Sequence, residues 1–381
     1  MRVYLDNAAT TQLDPRVIEI MTQTMISTYG NPSSIHMEGR TARSVIEKAR
    51  KKVAEMIGAS VGEIFFTSAG TESNNMILNC AVRDLDVTRI ISSKLEHHCI
   101  LHTLDSIEEQ NRAEVILLDT DEKGRPDLNQ LNELLADQSK KTLVSLMHSN
   151  NEIGTMINLD QVSAICEKHN ALFHSDTVQT LGYFPIDTSK TNIHFLTGSA
   201  HKFHGPKGAG FIYIKNDCCL KPFITGGSQE RNMRAGTENI YGIAGLAAAL
   251  EIACENMSDK ETHVRSVRQH MINQLRENFD DIQFNGDYDG RYHYKVLSVS
   301  FPPSPKSDLM LLNLDIKGIS ASGGSACSSG AEAGSHVLRA LGADPSRKSV
   351  RFSFSSSNTI EEIDYVIEQL KTIVPVREKV S

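Results

Sequence analysis

The feature that most constrains the fold of this chain is a regular alternation, between residues 63 and 176, of short apolar runs with longer amphipathic segments. The apolar runs have the length and composition of strands, and the segments between them have helical periodicity. The runs lie at 63–67, 89–92, 114–118, 142–147 and 171–174. Because strands joined through helices form crossover units, this alternation predicts an α/β fold with a largely parallel sheet covered by helices on both faces.

The pattern changes near Asn256, where a charged helical segment leads into strand candidates at 294–301 and 350–354 that alternate with helices. A length of 381 residues suits about two domains. We therefore expect a large domain followed by a smaller α+β domain, against which the first dozen residues pack. The expected boundaries are residues 15–255 for the large domain, and residues 1–14 together with 256–381 for the small one.

Composition and charge argue against several classes of function. The net charge of −8 is mild and spread along the chain, which disfavours nucleic acid or an anionic membrane as the main partner. The first residues lack the apolar core of a secretory signal, and the longest nearly apolar run, 240–250, is too short to cross a bilayer. The 7 cysteines are odd in number and scattered, which is typical of reduced thiols. We therefore expect a cytoplasmic protein without a membrane partner.

A candidate nucleophile lies in the stretch from Ile193 to Gly208, IHFLTGSAHKFHGPKG. The apolar start predicts a strand, and the Gly-Pro-containing end predicts a loop, so Lys202 stands where the strand ends. Open α/β sheets place their ligand sites at such strand ends. A lysine that is desolvated there can form a Schiff base with an aldehyde, although taken alone Lys202 is better explained as a solvated loop lysine.

A carboxylate follows the apolar run 171–174. Asp176 at a strand end could keep a heteroaromatic nitrogen protonated, as a pyridinium electron sink requires. The alternative, a helix cap or turn aspartate, is equally consistent with this position taken alone. Gln179 lies three residues further on and could donate to a ring hydroxyl.

Two clusters of small and hydroxylated residues could bind a phosphate. Residues 68–73 join a predicted strand to a predicted helix, where exposed backbone N–H groups favour anions. Residues 226–231 and the segment from Arg234 to Thr237 form a second cluster of Gly, Ser, Thr and Arg. Taken singly, each cluster is better explained as a cap or a loop.

The histidines between residues 97 and 102 suggest either a metal site or a cofactor contact. His97, His98 and His102 could share a helix face, but no second cluster at metal-ligand spacing accompanies them, so we expect no metal site. His97, at a predicted strand–helix junction, is better explained as a ring that stacks on a flat cofactor or transfers a proton.

A single cysteine lies among Gly, Ser and Ala residues near the C-terminus. Cys327 belongs to the segment SASGGSACSSG at 320–330. Structural cysteines are normally surrounded by apolar residues, whereas a thiol on an exposed small-residue loop can move between a substrate and an acceptor. The alternative is an incidental surface thiol.

Taken together, these segments resemble the cysteine desulfurases of the NifS/IscS type, within the class V aminotransferase-like pyridoxal-phosphate enzymes. The matching motifs run in order from residue 4 to about residue 355: YLDNAATT, YGNPSS, FTSAGTESNN, LEHH, MHSNNEIG, HSDTVQ, GSAHKFHGPKG, MRAGTEN, GGSACSSG and VRFSFS. One such motif is weak evidence, but ten in order are specific. The resemblance implies fold type I of the pyridoxal-phosphate transferases, with a mostly parallel mixed sheet in the large domain and a mobile cysteine loop on the small one.

The resemblance also implies roles for residues around a pyridoxal 5'-phosphate ring. Lys202 would bind the cofactor aldehyde as a Schiff base. His97 would stack on the ring and take part in proton transfer, and Asp176 would pair with the ring nitrogen. Gln179 and Asn151 would contact the side of the ring.

Further roles concern the cofactor phosphate and the substrate. The resemblance implies that the phosphate is held by Gly70, Thr71, Ser199 and His201. Thr237 would reach the phosphate of the neighbouring subunit, which makes a homodimer the expected unit. Arg351, with Asn31 nearby, would bind the substrate carboxylate.

The reaction implied by the resemblance converts L-cysteine to L-alanine and leaves the sulfur on Cys327 as a persulfide. The acceptor would be an iron–sulfur scaffold or a sulfur-carrier protein. No resident metal is expected, although Cys327 can transiently share a cluster with a scaffold.

The chain departs from the family pattern at three places. Gly70 stands where relatives often have Ala, Gly323 replaces a common Ser, and the tail stops soon after the last helix, which leaves the docking of a scaffold open. The alternatives on the same cofactor are selenocysteine lyase, cysteine sulfinate cleavage and a class V aminotransferase. A non-enzymatic sulfur-relay partner on a degenerate cofactor fold is a further alternative, which the intact Lys202 and Cys327 disfavour.

Overall fold

In a computed structural model, the structure describes residues 1–323 and 334–377, so Cys327 lies outside the described residues. The described chain contains twelve strands and twelve helices, besides three short 3-10 turns. The strands are β1 (Val3–Tyr4), β2 (Ile64–Thr67), β3 (Arg89–Ser93), β4 (Glu114–Leu118), β5 (Thr142–Ser145), β6 (Leu172–Asp176), β7 (Phe195–Ser199), β8 (Gly210–Ile214), β9 (Gln283–Asn285), β10 (Val296–Phe301), β11 (Ile319–Ser320) and β12 (Lys348–Ser353).

Eleven of the helices in the described part of the chain lie between these strands, and α12 follows the last strand. They are α1 (Pro15–Ser27), α2 (Met37–Met56), α3 (Gly70–Asp84), α4 (His98–Glu109), α5 (Leu128–Ala136), α6 (Leu159–Lys168), α7 (Gln229–Asn232), α8 (Ile240–Cys254), α9 (Met257–Asn278), α10 (Met310–Ile316), α11 (His336–Ala340) and α12 (Ile360–Leu370).

The central sheet has seven strands in the order β2-β8-β7-β6-β5-β3-β4. Its five strands from β7 to β4 are parallel to their neighbours, whereas β8 is antiparallel to both β7 and β2. The parallel part follows from the crossover helices that the alternation predicts. β8 runs the other way because a short link at 200–209, rather than a crossover helix, joins it to β7. The predicted α/β fold with a mostly parallel mixed sheet is confirmed.

Two small sheets lie outside the central one. β12, β10 and β9 form an antiparallel sheet, and β1 pairs in parallel with β11 so that Val3 lies opposite Ile319. Asn7 continues the contact of the N-terminal residues, since its side chain donates to the Ser353 carbonyl at 2.9 Å. A single buried apolar cluster includes residues of both predicted domains, such as Phe173 and Phe352, and the domain boundaries stay a prediction.

The strands that carry the site extend further than the apolar pattern indicates. β6 continues to Asp176 and β7 to Ser199, whereas the apolar runs end at 174 and 196. These ends are polar but buried. Ser175 Oγ donates to the Leu146 carbonyl at 2.8 Å, whereas the buried Thr197 Oγ1 has no partner among the described residues. The prediction of the strand ends was therefore wrong by two or three residues at the edge that forms the site.

The helix starts follow local capping rules. Asp14 caps α1, which has Pro at its first turn. Thr359 and Glu362 form the capping box that their spacing predicts at the start of α12. Among the described residues, no single helix is long and apolar enough to cross a membrane; only Ile240–Cys254 and Met257–Asn278 taken together, across a bend of 75°, pass by length and composition.

Candidate active site

A cavity of about 200 Å³ opens at the carboxyl ends of β6 and β7. Ten residues singled out from the sequence line it: Gly70, Thr71, His97, Asn151, Asp176, Gln179, Ser199, His201, Lys202 and Arg351. Larger cavities of about 610 Å³ and 770 Å³ lie elsewhere on the molecule. The chemistry of the lining residues, rather than volume, therefore identifies the site.

Lys202 ends a 3-10 turn that follows β7 directly. Its Nζ donates to the backbone carbonyls of Ala8 at 2.7 Å and Ala9 at 2.8 Å. The Tyr183 hydroxyl donates to the Lys202 carbonyl at 2.9 Å. The N-terminal segment thus forms one wall of the cavity, and it holds the lysine amine there.

Asp176, the last residue of β6, is fixed at both carboxylate oxygens. Oδ1 accepts from the Val178 backbone N–H at 2.9 Å, which is a turn bond, and Oδ2 accepts from Asn74 Nδ2 at 2.7 Å. Asp176 is therefore both a turn aspartate, through Oδ1, and a residue of the cavity, through Oδ2. These two hydrogen bonds, one to each oxygen, fix the orientation of the buried carboxylate.

His97 is the N-cap of α4, and its Nδ1 accepts from the Cys99 backbone N–H at 3.1 Å. In the neutral ring the proton must therefore be on Nε2. Burial lowers the pKa of His97, and the positive charge of Lys202 lowers it further, while Asp176 opposes the shift. A neutral imidazole is consequently the form expected at this position near pH 7.

One end of the cavity is suited to an anion. α3 begins at Gly70, and its N-cap Ala69 has no side chain that could bond the first-turn N–H groups, so these donors are left for a ligand. A Cβ atom at Gly70 would lie 2.6 Å from Cγ2 of Val178, which gives a physical reason for Gly at this position.

Burial and nearby lysines lower the pKa of His201 to about 3. Its neutral ring lies beside Thr10 Oγ1, 3.2 Å from Nδ1.

Arg351 projects from β12 at another edge of the cavity, with a side chain 2 % exposed. Its guanidinium donates to the Asn151 carbonyl at 2.8 Å and to Asp6 Oδ1 at 2.9 Å. Its Nε is buried and has no partner among the described residues. The Arg351 backbone N–H donates to the Ser322 carbonyl at 2.6 Å. β12 therefore holds Arg351 next to Ser322, which precedes residue 327 by five positions.

The donor set can be tested against a flat aldehyde cofactor with a phosphate. Two buried side-chain oxygens of lining residues, Asn74 Oδ1 and Gln179 Oε1, have no partner among the described residues. Such oxygens accept from a ring hydroxyl or another donor of a bound group. With an amine, a fixed carboxylate and a helix start free of a side-chain cap around the same cavity, the residues fit pyridoxal phosphate.

The class-V aminotransferase model matches residues 3–366 of this chain. The chain belongs to the class-V aminotransferase family. A class-V relative, the putative cysteine desulfurase IscS 1 of Bacillus subtilis, is 39 % identical over 378 residues, which cover 98 % of each chain. The cysteine desulfurase IscS of Dictyoglomus turgidum is 39 % identical over 388 residues, covering 99 % of this chain and 97 % of the relative.

Solved structures agree with this class-V assignment. A NifS-like protein superposes with a TM-score of 0.90 at 37 % identity, covering 98 % of this chain and 99 % of its own. The protein titled "SspA in complex with cysteine" superposes with a TM-score of 0.82 at 28 % identity, covering 94 % and 100 %. The predicted family and fold class are confirmed.

Two predicted site residues in the described part of this class-V chain do not line the cavity, and a third, Cys327, lies outside the described residues. Thr237 is exposed and lines a separate cavity of about 140 Å³ with Ser68. Asn31 is exposed, and its Oδ1 accepts from the Ser33 backbone N–H at 2.9 Å. Asn31 belongs to a surface turn after α1, and its place near Arg351 stays a prediction.

Other lining residues of the class-V site were missed from the sequence. Asn74 lies one turn after Gly70 on α3, so the helical period could have indicated it. Cys99 accepts from Asn74 Nδ2 at 3.3 Å, and burial raises its thiol pKa to about 12. Among the described residues, no group of three or more His, Cys, Asp or Glu side chains is placed to hold a metal ion.

Proposed function

We propose that this chain is a pyridoxal-phosphate-dependent cysteine desulfurase, which converts L-cysteine to L-alanine and transfers the sulfur to Cys327 as a persulfide. The observation that carries the proposal is the placement of Lys202, Asp176 and His97 around one cavity, with Arg351 at its edge. The names of the full-length relatives support the same reaction.

In this proposal Lys202 binds the cofactor aldehyde, Asp176 pairs with the ring nitrogen, and Gln179 and Asn151 contact the ring. The phosphate lies at the start of α3, held by Gly70, Thr71, Ser199 and His201. When bound, the cofactor supplies an electron sink for charge that develops at the substrate Cα. The Asp176 carboxylate is held in place for this pairing by its hydrogen bonds to Asn74 and to the Val178 backbone N–H.

The substrate is oriented by its carboxylate. Arg351 is a buried cation at the cavity edge. Two of its nitrogens are available to a carboxylate: Nε, which has no partner among the described residues, and Nη2, which donates to Asp6. The Lys202 amine takes the proton from Cα and returns it. His97, with its proton on Nε2, is the second group able to hold or give a proton in the cavity.

Sulfur transfer requires a thiol from outside the described residues. The Cys327 thiolate takes the substrate sulfur, the bond from Cβ to sulfur breaks, and Cβ gains a proton, so that cysteine plus thiol become alanine plus persulfide. Cys327 is five residues after Ser322, which at roughly 3.5 Å per residue limits their separation to about 17 Å. The backbone of Ser322 is hydrogen-bonded to that of Arg351, so this length limits how far Cys327 can be from Arg351 along the chain.

We also propose a homodimer. The segment from α1 to the start of α2 exposes large apolar side chains, as expected of a surface that a second copy covers. The most exposed of them are Ile26, Tyr29, Ile35 and Met37, at 70 %, 80 %, 90 % and 66 %. In the dimer Thr237 contributes to the phosphate site of the other chain, and Asn31 assists Arg351.

The sulfur acceptor in this proposal is an iron–sulfur scaffold or a sulfur-carrier protein. The relatives named IscS support this role. We place the protein in the cytoplasm, where thiols stay reduced. The six cysteines of the described part are all free, which suits that compartment.

The function is tested by alanine formation from L-cysteine in the presence of a thiol reductant. Cys327→Ala is expected to lose sulfide and alanine production. Cys219→Ala is the control, because Cys219 is a free, exposed thiol that does not line the cavity. It is expected to keep the rate of the unmodified protein. Full cysteine turnover by Cys327→Ala would contradict the proposed role of that thiol, and absence of alanine from the unmodified protein would contradict the function.

A further inference from the structure

A second lysine is buried directly behind the candidate active site. Lys295 precedes β10 and is 0 % exposed. Its Nζ lies 3.4 Å from the Lys202 carbonyl oxygen and 4.0 Å from the centre of the Tyr183 ring. The Tyr183 hydroxyl donates to the same carbonyl oxygen at 2.9 Å. Lys295 therefore packs against the chain that carries the cavity lysine, although it does not line the cavity itself.

Lys295 is surrounded by cations and aromatic rings. The charges that act on it come from Lys202, on the turn after β7, and Arg351, on β12; no acidic group of the described residues counters them. The backbone N–H of Lys295 donates to His293 Nδ1 at 3.2 Å. The charge of Lys295 is among the causes that lower the pKa of His201 and the pKa of His204. Burial, then the charges of Lys202 and Arg351, lower the pKa of Lys295 well below its usual value.

We propose that Lys295 is a positioning residue of the active site: a buried amine that holds the Lys202 main chain from behind the cavity and that the fold retains at a cost in stability. An apolar side chain of similar length would avoid burying an amine without a countercharge. A residue that is unfavourable for stability and lies against the main chain of the cavity lysine is a candidate for function. This inference deepens the proposed function, because it assigns the placement of Lys202 to a named side chain.

The cost has a defined dependence on pH. The pKa of Lys295 is lower in the folded chain than in the unfolded one, where it is about 10.4. Between these values the unfolded chain binds more protons, so the free energy of unfolding rises with pH. Replacing Lys295 by Met removes this dependence. Lys295→Met should therefore be more stable than the unmodified chain at pH 7, with an advantage that shrinks as the pH approaches 10.

The first experiment measures urea unfolding of the full chain between pH 7 and pH 10, with pyridoxal phosphate bound and after its removal. Lys295→Met is compared with Lys51→Met, which removes an amine from the exposed face of α2. The expected result is a stability gain at pH 7 that declines with pH for Lys295→Met alone. A loss of stability at pH 7, a difference that does not depend on pH, or failure of Lys295→Met to fold would overturn the proposal.

The second experiment measures placement of the Lys202 amine without relying on turnover. Cofactor-free protein is mixed with pyridoxal phosphate, the adduct is reduced with borohydride, and modified Lys202 is quantified by mass spectrometry. Because small misplacements of a reacting group are costly, Lys295→Met is expected to capture the cofactor about tenfold more slowly. Capture at the rate of the unmodified protein would overturn the positioning role. A failure of the proposed desulfurase function would be seen separately. The unmodified protein would then form no alanine, while the slower capture and the pH-dependent stability difference of Lys295→Met would still be observed.

A third variant tests whether the Lys202 carbonyl mediates the effect. Tyr183→Phe removes the other side-chain donor to this oxygen. If both donors act through one carbonyl, the double variant leaves it without either, and its capture rate should fall by more than the product of the two single effects. Purely multiplicative effects would overturn the carbonyl as the link.

Discussion

At the residue scale, the site depends on side chains that hold other side chains. Asn74 touches the Asp176 carboxylate at 2.7 Å while its own Oδ1 has no partner among the described residues. Asn74 is 0 % exposed, so its orientation is set by its contacts with Asp176 and Cys99 rather than by solvent. Asn74 therefore links the helix that begins at the anion end of the cavity to the carboxylate at the end of β6.

Asn74→Ala removes the hydrogen bond to Asp176. A hydrogen bond to a buried charged group contributes about 1.5 to 3 kcal/mol, so kcat/KM for L-cysteine is expected to fall by roughly tenfold to a hundredfold. Asn79→Ala, on the same helix but bonded to Arg112, is the matched control. Steady-state kinetics on both variants decide the matter, and equal rates for the two would exclude a role of Asn74 in holding Asp176.

Arg351→Lys tests recognition of the substrate carboxylate. A lysine keeps the charge but cannot offer the forked donors of a guanidinium. We expect KM for L-cysteine to rise by about tenfold or more, with a smaller change in kcat. Arg339→Lys, an exposed arginine on α11, should leave both constants unchanged. A KM equal to that of the unmodified protein would remove Arg351 from substrate binding.

At the element scale, β6 carries a buried histidine whose titration is coupled to folding. His174 is 0 % exposed, with Nδ1 2.9 Å from Ser145 Oγ. Burial lowers its pKa to about 3. Below the unfolded value of about 6.5 the unfolded chain binds a proton that the folded chain does not, so stability is lost as the pH falls towards 3.

His174→Gln should weaken this acid sensitivity. Between pH 7 and pH 5 the unmodified chain should lose roughly 2 kcal/mol more stability through His174 than the variant does. His263→Gln changes an exposed histidine and serves as the control. Urea unfolding at both pH values gives the comparison. Parallel pH profiles for the unmodified chain and His174→Gln would show that this ring does not resist protonation.

Elements whose pattern is local were predictable from the sequence. β4 has the bounds that periodicity predicts, because its apolar composition and the residues flanking it determine them. β6 and β7 run longer than predicted, since their last residues are polar and become buried only through the sheet. Ten lining residues with predicted roles belong to the quoted motifs, but Asn74 and Ala8, which also belong to them, were missed. Ala8 could not be found because it contributes only a backbone carbonyl to a lysine 194 positions away.

At the scale of the whole molecule, the N-terminal residues join separate parts of the chain. β1 pairs with β11, and the Asn7 side chain donates a hydrogen bond to the Ser353 carbonyl of β12. The Ala8 carbonyl accepts a hydrogen bond from Lys202 Nζ. Two predicted site residues, Asn31 and Thr237, remain exposed in one chain. In the proposed homodimer each active site is completed by the other copy, which makes a specific prediction for mixed dimers.

Mixing Lys202→Ala chains with Thr237→Ala chains tests this arrangement. If Thr237 acts on the partner's cofactor, each mixed dimer contains one site with both residues intact. Random exchange should then restore about a quarter of the full activity, since half of the dimers are mixed. Desulfuration is assayed after subunit exchange, with light scattering to verify the dimer. A monomer in solution, or no recovery on mixing, would contradict the shared site.

The central claim is that sulfur moves from a substrate oriented by Arg351 to the thiol of Cys327. The most direct measurement is peptide mass spectrometry after a single turnover with L-cysteine labelled with a heavy sulfur isotope, in the absence of reductant. The account predicts the labelled sulfur on the peptide that contains Cys327, together with one alanine per persulfide formed. Labelled sulfur on another cysteine such as Cys99, or alanine formed without any labelled protein thiol, would contradict it.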